Sequence, residues 1–199
     1  MDNQPKKPVA VVIGAGPGLG ASLIRRFAKT YSVAILARKA DYLKALAGEL
    51  RQSGATVQDL TCDVRDPRQI TDAFRAIRQE LGDSEVLLYN AGSGTFGGIT
   101  EITPDQYEAD WRVNAFGAFV AAKEVAPAMI ARGHGTTLFT GATAGVKAGP
   151  KSVFIWTREV RDAWSGAITC SRPWSERYPR GVDQRRWQHR YPGSAWPKA

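Results

Sequence analysis

Short apolar runs and longer amphipathic stretches alternate along the first 150 residues. The runs at residues 9–13, 33–37, 57–60, 86–89 and 136–140 have the length of strands. Between them, apolar residues recur three and four apart. Leu23, Ile24 and Phe27 form one such face, and Leu43, Leu46, Ala47 and Leu50 form a second, in a helix opened by Asp41 and ending near Ser53 and Gly54. A third face carries Ile70, Ala73, Phe74, Ile77 and Leu81. Asp66-Pro67-Arg68-Gln69 predicts a capping box with proline at the first helical position, and Thr103-Pro104-Asp105-Gln106 repeats it. The spacing predicts a long helix over 114–132. Strands and helices joined this closely require right-handed crossovers, so the expected fold is α/β with a doubly wound parallel sheet.

The first apolar run ends directly in glycines spaced G-x-x-x-G-x-G, at Gly14, Gly18 and Gly20, with Gly16 between them. An amphipathic stretch follows. A strand, a tight glycine turn and a helix in that order place free helix N–H groups at the turn, where a phosphate can approach a backbone without Cβ atoms. Glycine triplets are common, but the strand before and the helix after are the context this motif requires. A Rossmann-type sheet follows, with a dinucleotide across the carboxyl ends of its strands.

Composition narrows the picture further. At 199 residues the chain is long enough for one domain with a substantial core. Two cysteines, Cys62 and Cys170, suit a reducing compartment better than a disulfide framework. The polar first eight residues and the short run behind them give neither a leader nor a span, and a cytoplasmic chain is expected. The net charge of +8 would ordinarily suggest nucleic acid, but residues 1–152 carry only +3 and residues 153–199 the other +5. No metal site is expected.

In order along the chain, Gly14/Gly18/Gly20, Cys62-Asp63-Val64, Asn90-Ala91-Gly92 and Val113-Asn114-Ala115-Phe116-Gly117 resemble the motifs of the short-chain dehydrogenases/reductases, over about three quarters of the sequence. Taken singly, Asp63 and Asn90 could merely cap turns after strands. The resemblance implies an oxidoreductase moving hydride between a nicotinamide cofactor and a small carbonyl or alcohol. It places Gly14, Gly16, Gly18, Leu19, Gly20, Arg38, Asp63, Val64, Asn90, Ala91 and Gly92 at the cofactor, with Asp63 accepting from the adenine amino group. It places Asn114 in the catalytic set, holding a water. Arg38 follows the second strand where NAD-preferring relatives carry an acid, and a guanidinium there suits a 2′-phosphate. NADP is therefore expected, with NAD as the alternative, and Lys39 could assist. A solvated arginine at a strand end is the plainer reading of the same residue. The resemblance also implies a homo-oligomer built on the helices flanking the fifth strand, but only the 114–132 helix of that interface survives here, so the interface is incomplete and the oligomeric state open. Neither nucleic acid nor membrane is an expected partner.

The resemblance breaks at the remaining catalytic positions. The family's serine falls on Ala142, its tyrosine on Ile155 and its lysine on Glu159. Thr140 and Thr143 are nearby hydroxyls outside the matching slot. Alanine, isoleucine and glutamate cannot perform the phenol acid–base chemistry that the family mechanism uses.

Residues 153–199 hold five of the six tryptophans, eight arginines and no leucine, whereas residues 1–152 hold eleven leucines. The expected organisation is thus a Rossmann-type domain over 1–152, without the last helix and strands of the family fold, and an irregular, non-family tail over 153–199. Permitted codons for Arg186 to Gly193, regrouped by one base, give D-G-S-I-D-T-P. Ser175 to Arg186 permits P-K-G-I-H-V-A-W-I-N-V-D, and Glu159 to Pro173 permits K-F-A-M-R-G-L-A-Q-S-L-A-R-D-L. These strings resemble the family's missing lysine helix, sixth strand and closing loop, so a frameshift near residues 153–158 is the expected origin of the tail. The chain would then be impaired as an enzyme. The competing expectation is a non-catalytic dinucleotide-binding or interaction protein whose Trp/Arg tail is a partner surface.

Overall fold

The computed structural model describes residues 7–141. Ala142, Thr143, Ile155, Glu159, Cys170 and the tail lie outside the described residues. Five strands form one parallel sheet in the order β3-β2-β1-β4-β5. They are β1 (Val9–Ile13), β2 (Ser32–Ala37), β3 (Val57–Thr61), β4 (Ser84–Tyr89) and β5 (Thr136–Phe139). The order reverses between β1 and β4, which pair in register from Ala10 opposite Val86 to Ile13 opposite Tyr89. That reversal is the topological switch point, where a doubly wound sheet opens a crevice at its carboxyl edge.

Strand alternation sorts the apolar residues into two cores. On one face, Ala10, Val12, Val33 and Ile35 meet Ile24 of α1 (Leu19–Phe27) and Leu43, Leu46 and Leu50 of α2 (Ala40–Gln52). On the other, Val11, Ile13, Leu36 and Leu87 meet Ile70, Phe74 and Ile77 of α3 (Pro67–Glu80) and Ala121, Val125 and Met129 of α5 (Gly117–Arg132). β1 is buried at every position because helices cover both its faces, as its uninterrupted apolar run requires.

Two helix starts differ in an informative way. At α4 (Pro104–Trp111) the predicted capping box is complete, with Thr103 accepting from the Gln106 N–H and Gln106 accepting from the Thr103 N–H. At α3 Asp66 caps as expected, accepting from the Arg68 N–H at 2.9 Å. Gln69 does not close that box: its amide oxygen accepts from the Asp63 N–H at 2.9 Å, and its amide nitrogen donates to Asp66. The helix predicted over 114–132 begins earlier, because α4 runs into α5 through a π-helical turn at Arg112–Phe116. Tyr89 supplies a cause: its buried hydroxyl donates to the Val113 carbonyl at 2.5 Å, inside the helical ladder. Gly117 is required there, since a Cβ would lie 2.6 Å from the Tyr89 oxygen and 2.7 Å from the Val64 carbonyl oxygen.

Candidate functional site

The glycine turn is assembled from two kinds of glycine. Gly14 has φ +89°, and a Cβ on it would sit 2.4 Å from the Ala91 nitrogen, so it seals β1 against the turn that follows β4. Gly20 is equally confined, with its own Cβ position 2.3 Å from the Gly14 carbonyl oxygen. At Gly16 and Gly18 a Cβ would meet nothing within 4 Å. Those two positions face open space in front of the α1 N-terminus. No side chain caps α1, and among the described residues the Leu19 and Gly20 N–H groups have no acceptor. Unpaired N–H groups, the positive end of a helix dipole and an open approach form a cradle for a phosphate. The donor set fits the pyrophosphate of a dinucleotide.

On the β2–β3 side of the cradle lie the residues expected at an adenosine end. Arg38 is exposed directly after β2, and no acid among the described residues pairs with it. Asp63 follows β3, but its carboxylate is not free to accept from a base alone. The Arg65 guanidinium holds both its oxygens, with Nη2 to Oδ2 at 2.5 Å, and the Arg65 backbone N–H donates to Oδ1 at 3.0 Å. Hydrogen bonding from Arg65 is the main cause that holds the Asp63 carboxyl below the usual carboxylate range; the charge on Arg38 adds to it. Val64 is buried in the core beneath this turn.

The opposite side is built from the carboxyl ends of β4 and β5. The Asn90 amide nitrogen donates to the Gly14 carbonyl at 3.0 Å, while its amide oxygen accepts from the Thr140 hydroxyl at 2.9 Å. Asn90 therefore ties the ends of β1, β4 and β5 together, and Thr140 is committed to that tie. Ala91 and Gly92 carry the chain across the crevice mouth. Asn114, 4% exposed, holds the backbone of Ser93: it accepts from the Ser93 N–H at 2.9 Å and donates to the Ser93 carbonyl at 2.7 Å. Two contributors escaped the sequence reading, Asp110 and Ser93, whose hydroxyl donates to the Asp110 carboxylate at 2.5 Å. Nothing in their spacing marks them, because they meet only when the β4 loop folds back on α4.

A phosphate cradle at the switch point of a doubly wound sheet, with a cation beyond β2, defines a dinucleotide-binding protein. The chain belongs to the short-chain dehydrogenase family, whose model matches residues 8–154. It is 34% identical over 151 residues to the glycine betaine reductase ATRR of Emericella nidulans, a match covering 73% of this chain and 12% of that protein. Versicolorin reductase stcU of the same fungus is 31% identical over 147 residues, covering 72% of this chain and 54% of the relative. Among solved structures, an actinorhodin polyketide ketoreductase with NADPH superposes with a TM-score of 0.69 at 30% identity, over 73% of this chain and 57% of that one. L-Sorbose reductase from Gluconobacter frateurii, complexed with NADPH and L-sorbose, gives 0.71 at 26% identity, over 77% and 59%. The chain thus spans about half the length of versicolorin reductase stcU and far less of ATRR.

Proposed function

We propose that residues 1–152 form an NADP(H)-binding domain of an oxidoreductase that moves hydride between the nicotinamide and a small carbonyl or alcohol. The observation that carries the cofactor preference is Arg38, an exposed guanidinium that forms no ion pair among the described residues, set at the end of β2 beside the phosphate cradle. Relatives solved with NADPH or NADP support the same assignment. Gly16, Gly18, Leu19 and Gly20 hold the pyrophosphate, Asp63 and Val64 border the adenine, and Asn90, Ala91 and Gly92 border the nicotinamide half. The bound cofactor supplies or accepts the hydride, according to its redox state. Asn114 holds a water at the catalytic end while its side chain grips the Ser93 backbone.

With Ala142, Ile155 and Glu159 where the family has serine, tyrosine and lysine, this chain binds cofactor but turns over near background. The family model's match ends at residue 154, which supports a frame change near residues 153–158 and a tail without evolved function. The continuous helical stretch Pro104–Arg132 has the length and apolarity of a membrane span, yet 56% of its most apolar window is buried within the fold, which supports a core helix. We place the protein in the cytoplasm; Cys62, buried and without a disulfide partner among the described residues, is in keeping with that.

Titration of the full chain with NADPH and NADH, followed by nicotinamide fluorescence, tests the proposal. NADPH is expected to bind more tightly, and Arg38→Ala to remove about tenfold or more of that preference through loss of a charge-assisted phosphate contact. NADH binding as well as NADPH, or an Arg38→Ala chain with unchanged preference, overturns it.

A further inference from the structure

The loop leaving β4 contains four glycines between residues 91 and 98. Such a segment samples many conformations, and holding one of them carries a large entropic cost unless side chains pin it. One pin is Asn114, which fixes the Ser93 backbone from below. The other comes from α4, and it is unusual. None of the residues of α4 is buried, so this helix contributes nothing to either core. Its contribution is Asp110, partly buried on the side that faces the loop. One carboxylate oxygen accepts from the Ser93 hydroxyl at 2.5 Å and the other from the Thr95 N–H at 2.6 Å. Among the described residues no lysine, arginine or histidine forms an ion pair with Asp110. Its charge is instead spent on two short bonds of the strong, charge-assisted kind.

We infer that Asp110 is a positioning residue which clamps Ser93 and Thr95 and so holds the β4 loop in the shape that receives the nicotinamide-ribose half of the dinucleotide. The inference rests on the proposed cofactor site. Arg38 and Asp63 lie on the β2–β3 side of the switch point, so a dinucleotide whose pyrophosphate sits at the glycine turn extends its other half past Asn90 toward this loop. The clamp acts on one half of the ligand and leaves the other untouched.

The test compares the full chain with Asp110→Ala and Asp110→Asn for two ligands: NADPH, and adenosine 2′,5′-bisphosphate, which carries the adenosine end alone. Asp110→Ala is expected to weaken NADPH by about tenfold or more, the loss of charge-assisted bonds to an ordered loop, while the bisphosphate binds as before. Asp110→Asn keeps an acceptor for the Thr95 N–H and is expected to recover most of the loss. Hydrogen exchange without ligand reads the clamp directly, since the Thr95 amide should lose its protection in Asp110→Ala. Equal weakening of both ligands, or unchanged NADPH binding, overturns the inference. If the wild-type chain binds neither ligand, the cofactor site itself fails, and unchanged Thr95 exchange in Asp110→Ala then rejects the clamp separately.

Discussion

Two alanine substitutions two residues apart, Gly14→Ala and Gly16→Ala, should have opposite consequences. At Gly14 the new Cβ runs into the backbone of the turn after β4, 2.4 Å from the Ala91 nitrogen, 2.6 Å from the Asn90 carbonyl carbon and 2.8 Å from the Ala91 Cα. None of these is the end of a flexible side chain, so relief requires β1 and the β4 turn to separate. The φ of +89° adds the penalty of a left-handed conformation for an L-residue. Together the strain and the overpacking amount to about 2–5 kcal/mol, a large share of the roughly 5–15 kcal/mol that holds a domain folded. At Gly16 the added methyl meets nothing, so stability should stay within about 1 kcal/mol of the parent. It does, however, occupy the approach to the α1 N-terminus, and NADPH binding should be lost. Urea unfolding of the full chain at low concentration, followed by the same fluorescence titration, reads both effects. If Gly14→Ala unfolded at the parent's midpoint, the sealing role of that glycine would be wrong. If Gly16→Ala bound NADPH normally, the open space before α1 would not be the phosphate cradle.

Other expectations concern single groups. Arg65→Ala should let the Asp63 pKa rise toward its ordinary value, seen by carbon-detected NMR titration. Because the folded pKa is depressed, the stability Asp63 contributes is present above its unfolded pKa, about 4, and is lost as pH falls through the folded value. An Asp63 titration unmoved by Arg65→Ala would remove Arg65 as the cause. Burial pushes the Cys62 thiol up to about 11, so a disulfide reagent at pH 8 should leave the Cys62 peptide unlabelled until the chain unfolds; rapid native labelling would show that the β3 end opens. Restoring two catalytic side chains with Ala142→Ser and Ile155→Tyr should not rescue turnover of a carbonyl panel, because the lysine position still holds Glu159. Activity from that pair alone would refute the account of the tail. Reading the gene across codons 145–165 tests the frame itself: a family-like continuation in the shifted frame is expected, and stops in that frame would make the tail genuine.

Local signals in the sequence carried the strands, the faces of α1 to α3 and the capping box at Thr103, because each depends on residues a few positions apart. The glycine turn was legible as a motif, but its division of labour was not. Whether Gly14 or Gly16 has neighbours depends on Ala91, which arrives from another strand. The same limit explains the start of the long helix: no periodicity announces a π-turn caused by a tyrosine hydroxyl from β4. Gln69 has the spacing of a helix cap relative to Asp66, yet the Asp63 N–H, exposed by the end of β3, competes for its oxygen. Asp63 itself sits where expected, but its grip by Arg65 depends on how the turn after β3 bends. Asp110 was invisible for a similar reason. On α4 it reads as one more solvated carboxylate, and only the returning glycine loop gives it partners.

The most direct check on the central claim is an amide NMR titration of the full chain with NADPH. The expected shifts cluster at Gly16, Gly18, Leu19 and Gly20, at Arg38, at Asp63 to Arg65 and at Asn90 to Thr95, saturating together with one affinity. Absence of any shift at the glycine turn, or shifts centred on the shallow cleft beside Arg68 and Arg75 on α3, would contradict a dinucleotide site at the β1–β4 switch point.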